Sequence, residues 1–154
     1  MSALSEILIK KSLTIAVAES CSGGNLSALL TSESGSSAYF DRGYITYSNQ
    51  AKMEMLGVSE NTLNTYGAVS AETALEMVQG VINNASTDIG VSITGIAGPS
   101  SDDTNKPVGM VCFGFYINGN YSTITQRFDG NRHHIVTQSV ECAVNTLVTQ
   151  LLNN

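Results

Sequence analysis

Apolar and polar positions along the chain change period several times, and each change marks an element. Leu4, Ile7 and Leu8 fall at helical spacing and predict a short opening helix, closed by the polar Lys10-Lys11-Ser12. The period then collapses. Leu13-Thr14-Ile15-Ala16-Val17-Ala18 is a continuous run rich in β-formers, too short for a helix and typical of a strand buried on both faces. It runs into Glu19-Ser20-Cys21-Ser22-Gly23-Gly24, after which Leu26, Leu29 and Leu30 return to helical spacing between Asn25 and about Ser32. The chain thus opens as strand, glycine-rich turn and helix.

Beyond the break at Gly35-Ser36-Ser37, the aromatic and β-branched segment Tyr39 to Tyr47 predicts a second strand. Ser48 or Asn49 caps a brief helix whose Met53 and Leu56 face inward and which stops at Gly57. Ser59 caps a short turn through Leu63, stopped by Gly67. Ser70, with Glu72 in the first turn, opens a longer helix carrying Ala74, Met77, Val78, Val81 and Ile82 on one face. Asp88 to Thr94 repeats the buried-strand pattern and again meets glycines, in Gly95-Ile96-Ala97-Gly98-Pro99. A polar loop, Ser100 to Asn105, leads to strands Val108–Ile117 and Tyr121–Phe128 around Asn118-Gly119, a dipeptide suited to the positive φ angles of a type I′ hairpin turn. A long closing helix, Asn131 to Leu152, bears one apolar stripe from Ile135 to Leu151. Helices alternating with strands and finished by a hairpin predict an α/β fold, a three-layer α/β/α sandwich on a mixed central sheet. The pattern holds no internal repeat and no linker, so residues 1–154 read as one domain.

Composition narrows the functions. Thirteen acidic against 7 basic residues give a net charge of −6, which repels a polyanionic backbone and argues against a nucleic-acid partner. No apolar stretch approaches the roughly 20 residues that span a bilayer, and the first residues lack a signal-peptide pattern; the expectation is a cytoplasmic protein with no membrane partner. Cys21, Cys112 and Cys142 form an odd set without C-x-x-C spacing or histidines at ligand distance, so neither disulfides nor a metal site is indicated.

In open α/β sheets the ligand crevice lies beyond the carboxyl ends of the strands, and three polar constellations fall there. In Ser20-Cys21-Ser22-Gly23-Gly24 the missing β-carbons let backbone N–H groups turn toward a phosphate or an oxyanion. Ser20 is placed like a hydrolase nucleophile, although serine before a helix is also a common cap. In Tyr47-Ser48-Asn49-Gln50-Ala51-Lys52, a lysine in a helix's first turn meets the positive end of the dipole. That placement, with desolvation, would lower its pKa toward that of a general base; the alternative is a solvated surface lysine. Tyr47 is either a core aromatic or a hydrogen-bond partner. In the third group Thr94 offers a hydroxyl, Gly95 and Gly98 permit close backbone approach, and Lys106 adds a charge. Arg132 then suits a phosphate or carboxylate, and His133 and His134 are either acid–base groups or solvated residues near the cap.

Taken together, Ala18-Glu19-Ser20-Cys21-Ser22-Gly23-Gly24, Gly35-Ser36-Ser37, Arg42 to Asn49, Lys52, Gly67-Ala68-Val69-Ser70, Thr94 to Pro99 and Lys106-Pro107-Val108-Gly109 closely resemble the CinA carboxy-terminal-domain family, in order from about Leu8 to Leu152. The resemblance implies hydrolysis of the carboxamide of nicotinamide mononucleotide to nicotinic acid mononucleotide and ammonia, without a cofactor. The partner it implies is this small pyridine nucleotide, and homo-oligomers are compatible with it. It also implies a Ser20/Lys52 pair supported by Tyr47, Thr94 and Arg132. The glycine-bearing turns, with Ser22, Gly23, Gly24, Gly95 and Gly98, are expected to bind substrate, and Arg132, then Lys106, to meet its phosphate. The family often has threonine where this chain has Ser22. Its loop before Lys106 is usually glycine-rich, where this chain has Asp102 and Asp103. The pyrophosphatase-like domain of longer CinA proteins is not represented, so that activity does not carry over. Two other readings stand beside this one: a Cys21 nucleophile with His133 or His134, and a nucleotide-binding regulator without chemistry.

Overall fold

A computed structural model describes residues 2–101 and 104–153; Asp102 and Asp103 of the acidic loop lie outside the described residues. A five-stranded mixed sheet has the order β2-β1-β3-β4-β5. Strand β1 (Ile15–Glu19) pairs in parallel with β2 (Phe40–Ile45) and with β3 (Ile89–Gly95). Strands β4 (Met110–Ile117) and β5 (Asn120–Arg127) continue antiparallel from β3. Asn118 and Gly119 both have positive φ, 53° and 80°, as the hairpin expectation requires.

The alternation of side chains sorts the helices onto two faces. Ile15 and Val17 of β1, with Val111, Phe113, Phe115 and Ile117 of β4, join one core with α1 (Ala3–Lys10), α2 (Asn25–Leu30) and α6 (Arg132–Leu152). Ala16 and Ala18 point the other way and meet α3 (Asn49–Leu56), α4 (Glu60–Tyr66) and α5 (Ala71–Ala85). On the α5 side the sheet presents small residues, so the helix lies close. A β-carbon on Gly114 would come within 2.5 Å of the Ala74 carbonyl oxygen, and the Ser92 hydroxyl donates to that carbonyl at 2.6 Å. The α6 side is filled by large residues, where burying each Leu or Ile contributes roughly 1.5–3 kcal/mol.

Of the strand ends that differ from the pattern-based expectation, three have a clear local cause. β1 begins at Ile15 rather than Leu13, because the Thr14 N–H and hydroxyl donate to the Asp88 carboxylate at 2.9 and 3.0 Å. β2 ends before Thr46 and Tyr47, where the chain turns toward the site and the Thr46 N–H donates to the Glu19 carbonyl at 2.8 Å. β4 begins at Met110, because Gly109, with φ 92°, occupies a turn. Leu29 is also displaced from expectation: Leu26 and Leu30 are buried, while Leu29 is 46% exposed. Among the described residues, no helix is long and apolar enough to cross a membrane.

Candidate active site

At the carboxyl ends of β1, β2 and β3 a cavity of about 220 Å³ opens, lined among others by Ser20, Tyr47, Lys52, Thr94, Gly98 and Arg132. Ser20 directly follows β1, and its N–H donates to the Ile93 carbonyl at 3.0 Å, which continues the pairing with β3 by one residue. That bond fixes where the hydroxyl emerges. The expected alternative role for Ser20, capping α2, is not the one observed: the cap position is Gly24, which has no side chain to offer. Glu19 caps instead. Its fully buried carboxylate accepts from the N–H groups of Leu26 and Ser27 at 2.8 and 2.9 Å and from the Ser27 hydroxyl at 2.7 Å. The first amides of α2 are therefore occupied by an internal anion and are not a phosphate cradle.

Lys52 is the departure from composition-based expectation that matters most. It stands in the first turn of α3, after the Ser48 cap whose hydroxyl accepts from the Ala51 N–H at 3.0 Å. Its side chain is 1% exposed, so a solvated surface lysine is ruled out. The amine donates to the Thr46 carbonyl at 2.8 Å, the Tyr47 carbonyl at 3.2 Å and the Ser20 hydroxyl at 3.0 Å. An ammonium has three N–H groups for these three acceptors. On losing a proton, the amine keeps two for the carbonyls and turns a lone pair toward the Ser20 hydroxyl, which can then donate to it. Burial favours the neutral form and lowers the Lys52 pKa from 10.5 to about 8.

The remaining expected residues separate into two groups. Thr94 is buried in the wall, its hydroxyl donating to the Ala68 carbonyl at 2.8 Å. Arg132, from the start of α6, reaches over the opening: Nη1 donates to the Gly98 carbonyl and Nη2 to the Tyr47 hydroxyl, both at 2.7 Å. Tyr47 is 60% exposed and is a hydrogen-bond partner rather than a core aromatic. Gly95 and Gly98 line the cavity with Cys21 and Ala97. Among the described residues, no hydrogen bond engages the backbone N–H of Ala97 or Gly98, both of which line the cavity. Ser22, Gly23, Gly24 and Lys106 are not part of the lining. Ser22 is fully buried, and its hydroxyl has no partner among the described residues. Lys106 donates to the carbonyls of Tyr66 and, at 2.6 Å, Val69. It thus holds the segment before α5, whose Ala68 and Val69 do line the cavity.

The cysteine alternative loses its physical basis. Burial raises the Cys21 thiol to a pKa of about 11, outweighing the lowering by its own backbone N–H, Lys52 and Arg132. His133 faces a separate groove between α2 and α6, and His134 is exposed beside Gly130. Two features escaped the sequence reading: the Glu19 cap and the Ala68–Val69 wall. A signal existed for the first, an acid ending a strand ahead of a helix that begins on glycine. For the second, Gly67-Ala68-Val69-Ser70 belonged to the family resemblance, but nothing in the residue pattern placed it at the cavity.

Comparison with known proteins gives a consistent result. A family model described as the CinA C-terminal domain matches residues 1–151. A competence-damage inducible protein by name, from Clostridium acetobutylicum, is 46% identical over 150 residues, covering 97% of this chain and 36% of the relative; the chain spans little more than a third of that protein's length. The nicotinamide-nucleotide amidohydrolase PncC of Enterobacter agglomerans is 45% identical over 141 residues, covering 91% of this chain and 86% of the relative. Among solved structures, a CinA superfamily protein from Klebsiella pneumoniae superposes with a TM-score of 0.96 at 34% identity, covering 99% and 95% of the two chains. One from Escherichia coli gives 0.93 at 36%, covering 96% and 86%.

Proposed function

This chain belongs to the CinA C-terminal domain family, and from that premise we propose that it hydrolyses the carboxamide of nicotinamide mononucleotide to nicotinic acid mononucleotide and ammonia. The observation that carries the reading is the 3.0 Å contact between the Ser20 hydroxyl and a buried amine. The similarity to a nicotinamide-nucleotide amidohydrolase supports the substrate.

In this reading neutral Lys52 takes the Ser20 proton as Ser20 Oγ attacks the amide carbon. Negative charge gathers on the carbonyl oxygen, and amides of Ala97 or Gly98 receive it; one such donor is typically worth about 3 kcal/mol. The tetrahedral intermediate collapses, the C–N bond breaks, and the protonated Lys52 returns its proton to the leaving nitrogen, directly or through Tyr47, so that ammonia departs. Water then adds to the ester by the reverse relay, giving the carboxylate and restoring the Ser20 hydroxyl. Arg132, which keeps further N–H groups beyond those given to Gly98 and Tyr47, is the partner for the substrate phosphate. Lys106, with its amine on two carbonyls, is assigned to the wall instead.

Ammonia release from purified protein supplied with nicotinamide mononucleotide tests the reading. Release that disappears in Ser20→Ala but persists in Cys21→Ala supports it. Saturable binding of the nucleotide without ammonia release would favour a regulatory domain.

A further inference from the structure

Beside the amide pocket, on the far side of Arg132, lies a larger groove of about 630 Å³ between α2 and α6. Its floor follows from helical spacing. Arg132, Val136 and Val140 recur every four residues, as do His133, Thr137 and Glu141, so both rows share one face of α6. Leu29 closes the groove from α2, which accounts for an apolar side chain left 46% exposed there. Polarity changes along the groove. The Arg132 end is basic, the middle is walled by Leu29, Val136 and Val140, and the far end carries the Glu141 carboxylate, about 13 Å away along the helix.

We propose that this groove is a second ligand subsite for an adenine nucleotide such as AMP: phosphate at Arg132 and His133, adenine against Leu29, Val136 and Val140, and a ribose hydroxyl or the exocyclic amine donating to Glu141. Three observations select a small nucleotide over a protein partner. The volume and apolar lining are those of small-molecule sites. The charge poles match a ligand anionic at one end and hydrogen-bond-donating at the other. The groove is separate from the amide pocket but shares Arg132 with it as a lining residue. Because the two ligands share that guanidinium, the adenine nucleotide competes with the phosphate of the amide substrate; this competition rests on the reading given under Proposed function, whereas the binding does not.

Calorimetric titration of the purified chain with AMP tests the subsite, with inorganic phosphate as the control. The expected result is one AMP per chain, bound at least tenfold more tightly than phosphate and weakened at least tenfold by Thr137→Trp, which fills the groove from an exposed position. AMP should also raise KM for nicotinamide mononucleotide while leaving kcat unchanged. No AMP binding at millimolar concentration overturns the proposal, as does phosphate binding equal to AMP. So does a Thr137→Trp variant that changes the oligomeric state while binding AMP like the parent, since a second copy would then be the occupant. If AMP binds as expected but nicotinamide mononucleotide releases no ammonia, the amidase reading falls and the subsite stands.

Discussion

Lys52 and Lys106 each end on two backbone carbonyls in different regions of the molecule, and the proposed reading gives them opposite purposes. At the head of α3, Lys52 shares its three contacts between two carbonyls and the Ser20 hydroxyl. In the segment before β4, Lys106 meets the carbonyls of Tyr66 and Val69. A lysine given carbonyls alone works as a clamp that joins distant loops. A lysine given carbonyls and a hydroxyl, and then buried, is in the proposed reading a base in waiting, because deprotonation frees one lone pair and the carbonyls leave it only the serine to face. The difference lies in one partner and in solvent, not in the type of residue.

The sharpest way to break this contrast is Ser20→Ala, which removes the third partner. Ammonia release from nicotinamide mononucleotide should fall by roughly 10⁴-fold or more, the scale seen when a serine nucleophile is deleted; a steady-state assay checks it. Lys52→Met should cost about as much activity, since nucleophile and base act as a unit, and it should abolish the pH dependence of stability that the buried amine confers. The sign follows from the lowered pKa. Below about 8 the amine is charged in folded and unfolded chains alike, and the folded state carries the cost of burying it; between about 8 and 10.5 the unfolded chain holds the extra proton and stability rises with pH. Urea unfolding should therefore show the parent gaining stability as the pH rises from about 8 toward 10.5, and Lys52→Met lacking that rise.

Lys106→Met tests the clamp. It leaves two carbonyls without their cation and loosens the Ala68–Val69 wall, so KM should rise by about three- to tenfold with kcat changed less than about twofold, at a stability cost of about 1–2 kcal/mol. An equal loss in kcat would place Lys106 with Lys52 instead. The smallest effect is expected at Gly43, where a β-carbon would overlap the Ser27 hydroxyl that Glu19 needs. Gly43→Ala should lower stability by about 1–2 kcal/mol, with thermal unfolding as the measurement, and leave the identity of the base untouched.

Much of this arrangement is legible in the residue pattern, and what is not has a physical cause. Buried strands announce themselves as β-branched runs, and the hairpin declares itself through Asn118-Gly119, so the sandwich follows from periodicity. Ser20 is legible because a strand runs into glycines there. The fate of Lys52 is not: Asn49-Gln50-Ala51-Lys52 reads as polar and exposed, and its burial comes from the Thr46 and Tyr47 carbonyls folding over it, a tertiary effect. Lys106 misleads for the same reason. Its cation lies near the site in sequence, but its partners, Tyr66 and Val69, come from a segment far upstream. Glu19 is readable in principle, as an acid placed to replace the side chain that Gly24 lacks.

The central claim is that Ser20 is activated by a lysine made neutral through burial. The pH dependence of kcat/KM for ammonia release from nicotinamide mononucleotide tests it most directly. The account predicts a tenfold rise per pH unit on the acid side, levelling at an apparent pKa of about 8. A rate independent of pH from 6 to 9, or one still climbing toward the ordinary lysine value of 10.5, would contradict it.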